Sequence, residues 1–484
     1  MFNINLSIHN KSDWFKAAIV LLGIAAFIYC LLGPLPQSFT AEMGREAMLA
    51  LGILLLAISL WITDFMHNAF SGFFCCAVLY MAGRFMNSGV LRESSFSGFG
   101  EYGVWFVFSG LIIGCGMLQS GLSHRLYLKM LTLAKNTYAS ITLMILLVCS
   151  AMLFLVPSTD ARTIIILSLV MGLGGLSSSS SGNPLRGISL MIPISTSILG
   201  IGALASISAI TAAGYIEKYM GISISYMQWF IYLLPAVAIT MVVLYLLVLR
   251  IFPCEIKGSD LRAAARAELA GLGKLNNKER KAVIIIGIAI LFWFSGFATG
   301  IRPDIVTMMA ASAMLMPGIG FLTKKDISQK LNWLIAPLFL GCAFSLVNAM
   351  TETGMLDYIG NHLFESAFGN IAGMSTWGVM MIICAISAIL HIFSAHSSVL
   401  VASFMPVVLA WTSAHGFGAF VPLIFIWGVE IQFMIYQSGA ITAAYGYGHF
   451  SSLDCLKLSL PLGLFQLLGG TTILYFWWKL LGLV

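Results

Sequence analysis

Residues 139–176 read ASITLMILLVCSAMLFLVPSTDARTIIILSLVMGLGGL, and residues 375–412 read STWGVMMIICAISAILHIFSAHSSVLVASFMPVVLAWT. Each apolar run is about 38 residues long and is broken near its middle by polar residues, Ser158-Thr159-Asp160 in the first and His396-Ser397-Ser398 in the second. A helix crossing a hydrocarbon core of about 30 Å needs roughly 20 residues, so each run is too long for one crossing and short for two. A re-entrant hairpin, entering and leaving by the same face, fits the length. Backbone that stops being helical at that depth is tolerated only where it is buried in protein or lines a cavity.

The rest of the chain has the composition of a membrane protein. Of 484 residues, 59% are hydrophobic and 9% charged, with a mean hydropathy of +0.95, where a soluble domain carries about 25% charged residues. Soluble enzymes and nucleic-acid-binding domains are excluded on that ground. Apolar segments of crossing length recur near 16–33, 45–63, 68–84, 103–119, 185–219, 226–252, 282–300, 304–322, 334–351, 419–446 and 458–480. The expected fold is an all-α polytopic membrane protein with about eleven transmembrane helices plus two re-entrant hairpins. Gly33-Pro34-Leu35-Pro36 follows the first segment without a small-x-small cleavage site, so that segment reads as a helix and not as a signal peptide. The nine cysteines, Cys75 and Cys76 among them, show no metal-ligand spacing and read as packing residues.

The formal net charge of +6 follows from topology. With Lys11 and Lys16 on the cytoplasmic side, the loop 254–281 with Lys257, Arg262, Arg266, Lys274, Lys278, Arg280 and Lys281 also falls inside, as do Arg125, Lys129, Lys135, Lys324, Lys325 and Lys330. The stretch with Glu352, Asp357 and Glu365 falls outside, in agreement with the positive-inside rule. The expected organisation is an N-terminal transmembrane helix in 1–40, a first repeat in 41–253, a cytoplasmic linker in 254–281 and a second repeat in 282–484.

The repeat is internal and inverted. Ala209-Ile210-Thr211-Ala212-Ala213 returns as Ala440-Ile441-Thr442-Ala443-Ala444, Ser120-Gly121-Leu122 is matched by Thr353-Gly354-Met355, and the two hairpin interruptions correspond at nearly the same offset. Five helices and a hairpin per repeat give the halves opposite orientations, the plan of secondary transporters whose binding site lies where broken helices meet. The broken helices are expected in 185–219, interrupted by Ser195-Thr196-Ser197, Gly200, Gly202 and Ser206, and in 419–446, the span from 419 onward being interrupted by Gln437-Ser438-Gly439 and Gly446-Tyr447-Gly448. Unwound backbone there offers carbonyls to a coupling cation, with Ser195, Ser197, Gly200 and Gln437 as candidates, and N–H groups to an anion, with Ser438 and Gly439 as candidates. The plainer reading is that small residues let helices pack closely.

Few ionisable residues lie at depth, and each of these defaults to a functional hypothesis. Arg162 either grips a substrate carboxylate with its planar fork or pairs internally with Asp160. Asp160 is a site for Na+ or a transported proton, or a counter-charge to Arg162. Glu430 is a second proton or cation site, or a structural hydrogen-bonding group. His396 either donates to a substrate oxygen or caps its hairpin arm, and His391 reads as structural.

Two motifs carry a family resemblance. Pro157-Ser158-Thr159-Asp160-Ala161-Arg162 resembles the Pro-Ser-Asn-Thr-Ala-Arg hairpin motif of the divalent anion:sodium symporter (DASS) family, in its citrate, tartrate and 2-oxoglutarate/malate exchanger branch. Tyr436-Gln437-Ser438-Gly439, continuing to Gly446-Tyr447-Gly448, is similar to that branch's Tyr-Gly-Thr-Gly…Gly-Ser-Gly segment. The resemblance implies a homodimeric elevator transporter in a bacterial inner membrane that carries a small organic dianion, a di- or tricarboxylate, by exchange or cation symport. It puts Ser158, Thr159, Ser397 and Ser398 at substrate contacts and makes Na+ or H+ the coupling ion, with no other cofactor. Thr159 stands where the family has Asn, Asp160 where it has Thr, and His396 where the second motif begins with Ser. Two other readings remain: a Na+/H+ antiporter exchanging ions on Asp160 and Glu430, and a membrane-embedded enzyme using His396 with Ser397 or Ser398. No glycine-rich P-loop is present to support primary transport.

Overall fold

The computed structural model describes residues 11–35, 43–63, 65–154, 156, 159–172, 183–255, 261–330, 334–359, 373–394, 396–418 and 420–484. Its elements are all helical. The first half holds α1 (Lys11–Leu32), α2 (Arg45–Thr63), α3 (Asn68–Phe85), α4 (Gly89–Ser94), α5 (Tyr102–Ser120), α6 (Leu122–Leu131), α7 (Tyr138–Met152), α8 (Thr159–Gly172), α9 (Pro184–Gly202), α10 (Ile207–Met220) and α11 (Tyr226–Ile251). After α12 (Leu261–Gly271) come α13 (Asn277–Thr299), α14 (Pro303–Leu315), α15 (Lys324–Lys330), α16 (Gly341–Glu352), α17 (Thr376–Ile392), α18 (Ser397–Ala414), α19 (Leu423–Val429), α20 (Gly439–Tyr445), α21 (Ser452–Phe465) and α22 (Thr471–Leu480).

Among the described residues, six helical stretches are long and apolar enough to cross a membrane: Arg45–Thr63, Tyr102–Ser120, Pro184–Met220, Tyr226–Ile251, Ser397–Ala414 and Ser452–Leu480. The segment expected over 304–322 is shorter. Its helix α14 stops at Leu315 because Pro317 disfavours helical backbone at Met316, and Gly318 turns the chain with φ +84°.

The two interrupted runs each form a helix, a turn and a second helix. Helices α7 and α8 have 15 and 14 residues, about 22 and 21 Å at 1.5 Å per residue, well short of a bilayer core of about 30 Å. Their partners in the second half, α17 and α18, have 17 and 18 residues. In each half a broken pair follows the hairpin: α9 and α10 after the first, α19 and α20 after the second.

The first break falls at the last of the interruptions named in the sequence, Ser206, and not at Ser195-Thr196-Ser197. Helix α9 runs straight through Ser195-Thr196-Ser197, where Ser195 Oγ donates to the Ile192 carbonyl at 2.9 Å and Thr196 Oγ1 to the Pro193 carbonyl at 3.0 Å. Both hydroxyls bond back to carbonyls of their own helix, which continues to Gly202. The break occupies 203–206, with Leu204 held in the left-handed region at φ +48°. The second is longer: Glu430 closes α19, so it stands in the break and not inside an apolar span, and Ser438 opens α20.

Packing around the second break is close enough to require glycine. A Cβ added at Gly428 would lie 3.0 Å from Cys384 Cα and would overlap Ser387, both on α17, whereas one at Gly287 meets nothing within 4 Å. Gly428→Val is therefore expected to lower the detergent melting temperature, a cost of about 1–3 kcal/mol for overpacking. Gly287→Val is expected to leave it unchanged. Equal melting temperatures for the two variants would contradict this packing.

Candidate functional site

Four helix starts meet at one small cavity of about 80 Å³: α8 at Thr159 and Asp160, α10 at Ser206 to Ser208, α18 at His396 to Ser398, and α20 at Ser438 and Gly439. The last residues of the opposed helices, Ser197 near the end of α9 and Glu430 after α19, complete the wall with Gln432 and Gln437 from the second break. Asp160 and His396 stand exposed in this space, while Glu430, Gln432, Gln437 and Ser438 are buried. A helix start presents unsatisfied N–H groups and roughly half a positive charge. Side chains cap α10, through Ser206 Oγ and the Ala209 N–H at 3.2 Å, but none caps α18 or α20.

Behind the cavity, two polar clamps hold the irregular backbone. Arg162 is fully buried and is spent on the protein: Nη1 donates to the carbonyls of Val156 (2.7 Å) and Ala205 (3.0 Å), and Nη2 to the Thr196 carbonyl (3.0 Å) and Thr159 Oγ1 (3.3 Å). One guanidinium thus joins the first hairpin turn, helix α9 and the first break. Gly200 makes room for it, since a Cβ there would sit 2.8 Å from Nη2. In the second half Gln437 and His391 do this work. Gln437 Oε1 accepts from the N–H groups of Phe433 and Met434, both at 2.7 Å, and its Nε2 donates to the His391 carbonyl at 2.9 Å. The His391 ring Nε2 lies 3.0 Å from the Gln437 carbonyl.

Several expected site residues come together here and others do not. Thr159, Asp160, Ser197, His396, Ser397, Ser398, Glu430, Gln437, Ser438 and Gly439 line the cavity. Arg162 is not among the lining residues, and its two terminal nitrogens bond the carbonyls of Val156, Ala205 and Thr196 and the Thr159 hydroxyl. Ser195 points into its own helix, and the Gly200 carbonyl accepts from Ala205 N–H at 3.1 Å, so neither faces the cavity. Ser158 lies outside the described residues. Ser208 and Gln432 are lining residues that carried no site assignment in the sequence. Ser208 Oγ meets Ser397 Oγ at 3.1 Å across the two repeats, a partnership that no local pattern signals.

A polytopic helical protein with broken helices meeting at a polar cavity is a membrane transporter by architecture. The family comparison agrees: residues 14–484 match the model of the sodium:sulfate symporter transmembrane region, and the chain belongs to that family, the DASS family that its hairpin motifs resemble. The citrate/succinate antiporter of Escherichia coli (strain K12) is 23% identical over 397 residues, 79% of this chain and 80% of that protein. Inner membrane protein YbhI of the same organism is 23% identical over 421 residues, 84% of each. In fold, the crystal structure of the YdaH transporter of Alcanivorax borkumensis superposes with a TM-score of 0.51 at 13% identity, covering 90% of this chain and 98% of that one. The chain is thus a secondary transporter, and the enzyme reading of His396 with Ser397 or Ser398 falls away because the family and these antiporters are not enzymes.

Arg162→Lys tests the clamp. One ammonium cannot reach the separated acceptors that the guanidinium bridges, so buried carbonyls lose partners at about 1–3 kcal/mol each. The expected outcome is a marked fall in detergent melting temperature. A variant that melts like the parent and loses only substrate affinity would return Arg162 to the ligand.

Proposed function

We propose that the protein is a secondary transporter of a small organic dianion, a di- or tricarboxylate, working by elevator alternating access as an exchanger or cation symporter. The observation that carries the reading is the convergence of four helix starts on a hydroxyl-lined cavity that has no Lys or Arg among its described lining residues. Oriented N–H groups and serine hydroxyls can receive carboxylate oxygens there without a cationic side chain. The antiporter relative named for citrate and succinate supports the same substrate class.

In this reading Thr159, Ser397, Ser398, Ser438 and Gly439, with Ser158, contact the anion, and His396 donates to it. The hairpins and broken helices move together past the remaining helices, and two copies of the chain form the working unit. The protein sits in the bacterial inner membrane with its N-terminus and the loop 254–281 in the cytoplasm. Asp160 and Glu430, with Ser197 and Gln437 beside them, are where a coupling ion would act. The presence of both carboxylates on one cavity also favours a second reading, Na+/H+ antiport without an organic anion.

Reconstituted protein separates these. Counterflow of labelled succinate or citrate into proteoliposomes is expected to saturate, and Ser398→Ala to raise its KM about tenfold, the loss of one hydrogen bond to a charged group. Na+ efflux driven by a pH gradient with no organic anion present, together with absent counterflow, would replace the first reading by the second.

A further inference from the structure

Resting on the transport reading, the cavity's own charge has a consequence. Its described lining carries two carboxylates, Asp160 and Glu430, against a single histidine, His396. Asp160 is exposed in the cavity and faces the start of α20, where a Cβ added at Gly439 would lie 3.4 Å from both of its oxygens. Glu430 is different: it is only 5% exposed, and no Lys, Arg or His among the described residues pairs with it. An uncompensated buried carboxylate is costly, and a dianion arriving beside it raises the cost.

The groups around Glu430 discriminate between a metal cation and a proton. Gln432 Nε2 donates to Glu430 Oε2 at 3.0 Å, while the Ser397 hydroxyl meets Ser208 Oγ at 3.1 Å. A cation held on those oxygens would confront the amide donor. Gln432, a residue of the cavity lining, also carries an acceptor, Oε1, that is buried and has no hydrogen-bond partner. An amide beside a carboxyl suits both protonation states: its NH2 serves the ionised form, and, turned over, its oxygen accepts the O–H of the protonated form. Of the other charged or titratable groups on the surrounding elements, Asp160 on α8 and His396 at the head of α18 line the cavity. Arg162 on α8 is engaged by carbonyls, His391 and Cys384 on α17 are buried outside the lining, and α10 and the π-helix Gln466–Gly470 bring none to it.

We propose that Glu430, read out by Gln432, is a proton-binding site and that the protein moves a proton with its anion. The proton is taken from water on the side where the anion loads and is returned to water on the other side, so the loaded cavity carries one negative charge fewer.

The test uses the full-length protein in Na+-free proteoliposomes that enclose a pH-sensitive dye, with succinate and citrate as probes. Wild-type protein is expected to acidify the lumen as labelled anion enters. In Glu430→Gln, protons carried per anion should fall about tenfold or more, whatever uptake rate remains. Gln432→Leu retains the carboxyl but not its partner, and should move the pH midpoint of wild-type uptake. Anion uptake by the wild type without lumen acidification, an unchanged proton-to-anion ratio in Glu430→Gln, or an unmoved midpoint in Gln432→Leu would each overturn the proposal while leaving anion transport standing. If wild-type protein takes up neither probe under any gradient, the transport reading of the cavity and the proton site fall together.

Discussion

Wherever a chain stops being helical within a bilayer, the N–H and C=O groups it frees must find partners inside the protein, because lipid offers none. This chain meets that constraint at two hairpin turns and two helix breaks. In the first repeat the partner is a fully buried guanidinium, Arg162, which gathers carbonyls from the hairpin turn, from α9 and from the break. In the second half it is the pair of Gln437 and His391. The two halves share an order of elements but not the chemistry that holds their breaks, and each clamp ties a hairpin to the break that follows it.

Once the breaks are held, the cavity's properties follow from direction. Four helices begin at it, so N–H groups converge there, and hydroxyls from Ser206, Ser208, Ser397, Ser398 and Ser438 fill the gaps between them. This favours an anion. The carboxylates of Asp160 and Glu430 oppose one, and in the proposed coupling a proton on Glu430 lowers that repulsion.

Much of this was legible in the sequence because polar residues are scarce at membrane depth. Thr159, Asp160, His396, Ser397, Ser398 and Glu430 stand out against apolar neighbours, and all six reach the cavity. The position of the first break was only partly legible, through Ser206, which caps α10. Ser195-Thr196-Ser197 looks like an interruption, but its first two hydroxyls bond back to carbonyls of the same helix, and the true break contains the unremarkable residues Ala203, Leu204 and Ala205. Nor does sequence reveal whether a buried arginine serves a ligand or its own backbone, since both uses need the same residue at the same depth. The contact of Ser208 with Ser397 joins residues 189 apart and depends on how the repeats dock.

The central claim is that the transported anion occupies the cavity where these helix starts meet, and labelling at that point tests it most directly. Eight of the nine cysteines are buried and Cys254 is partly exposed, so Ser398→Cys combined with Cys254→Ser provides one reactive thiol in the cavity. The rate of its reaction with a membrane-impermeant maleimide is measured with and without saturating succinate or citrate. The account predicts that a transported anion slows the reaction as its concentration passes the transport KM. An unchanged labelling rate at concentrations that saturate transport would place the anion elsewhere.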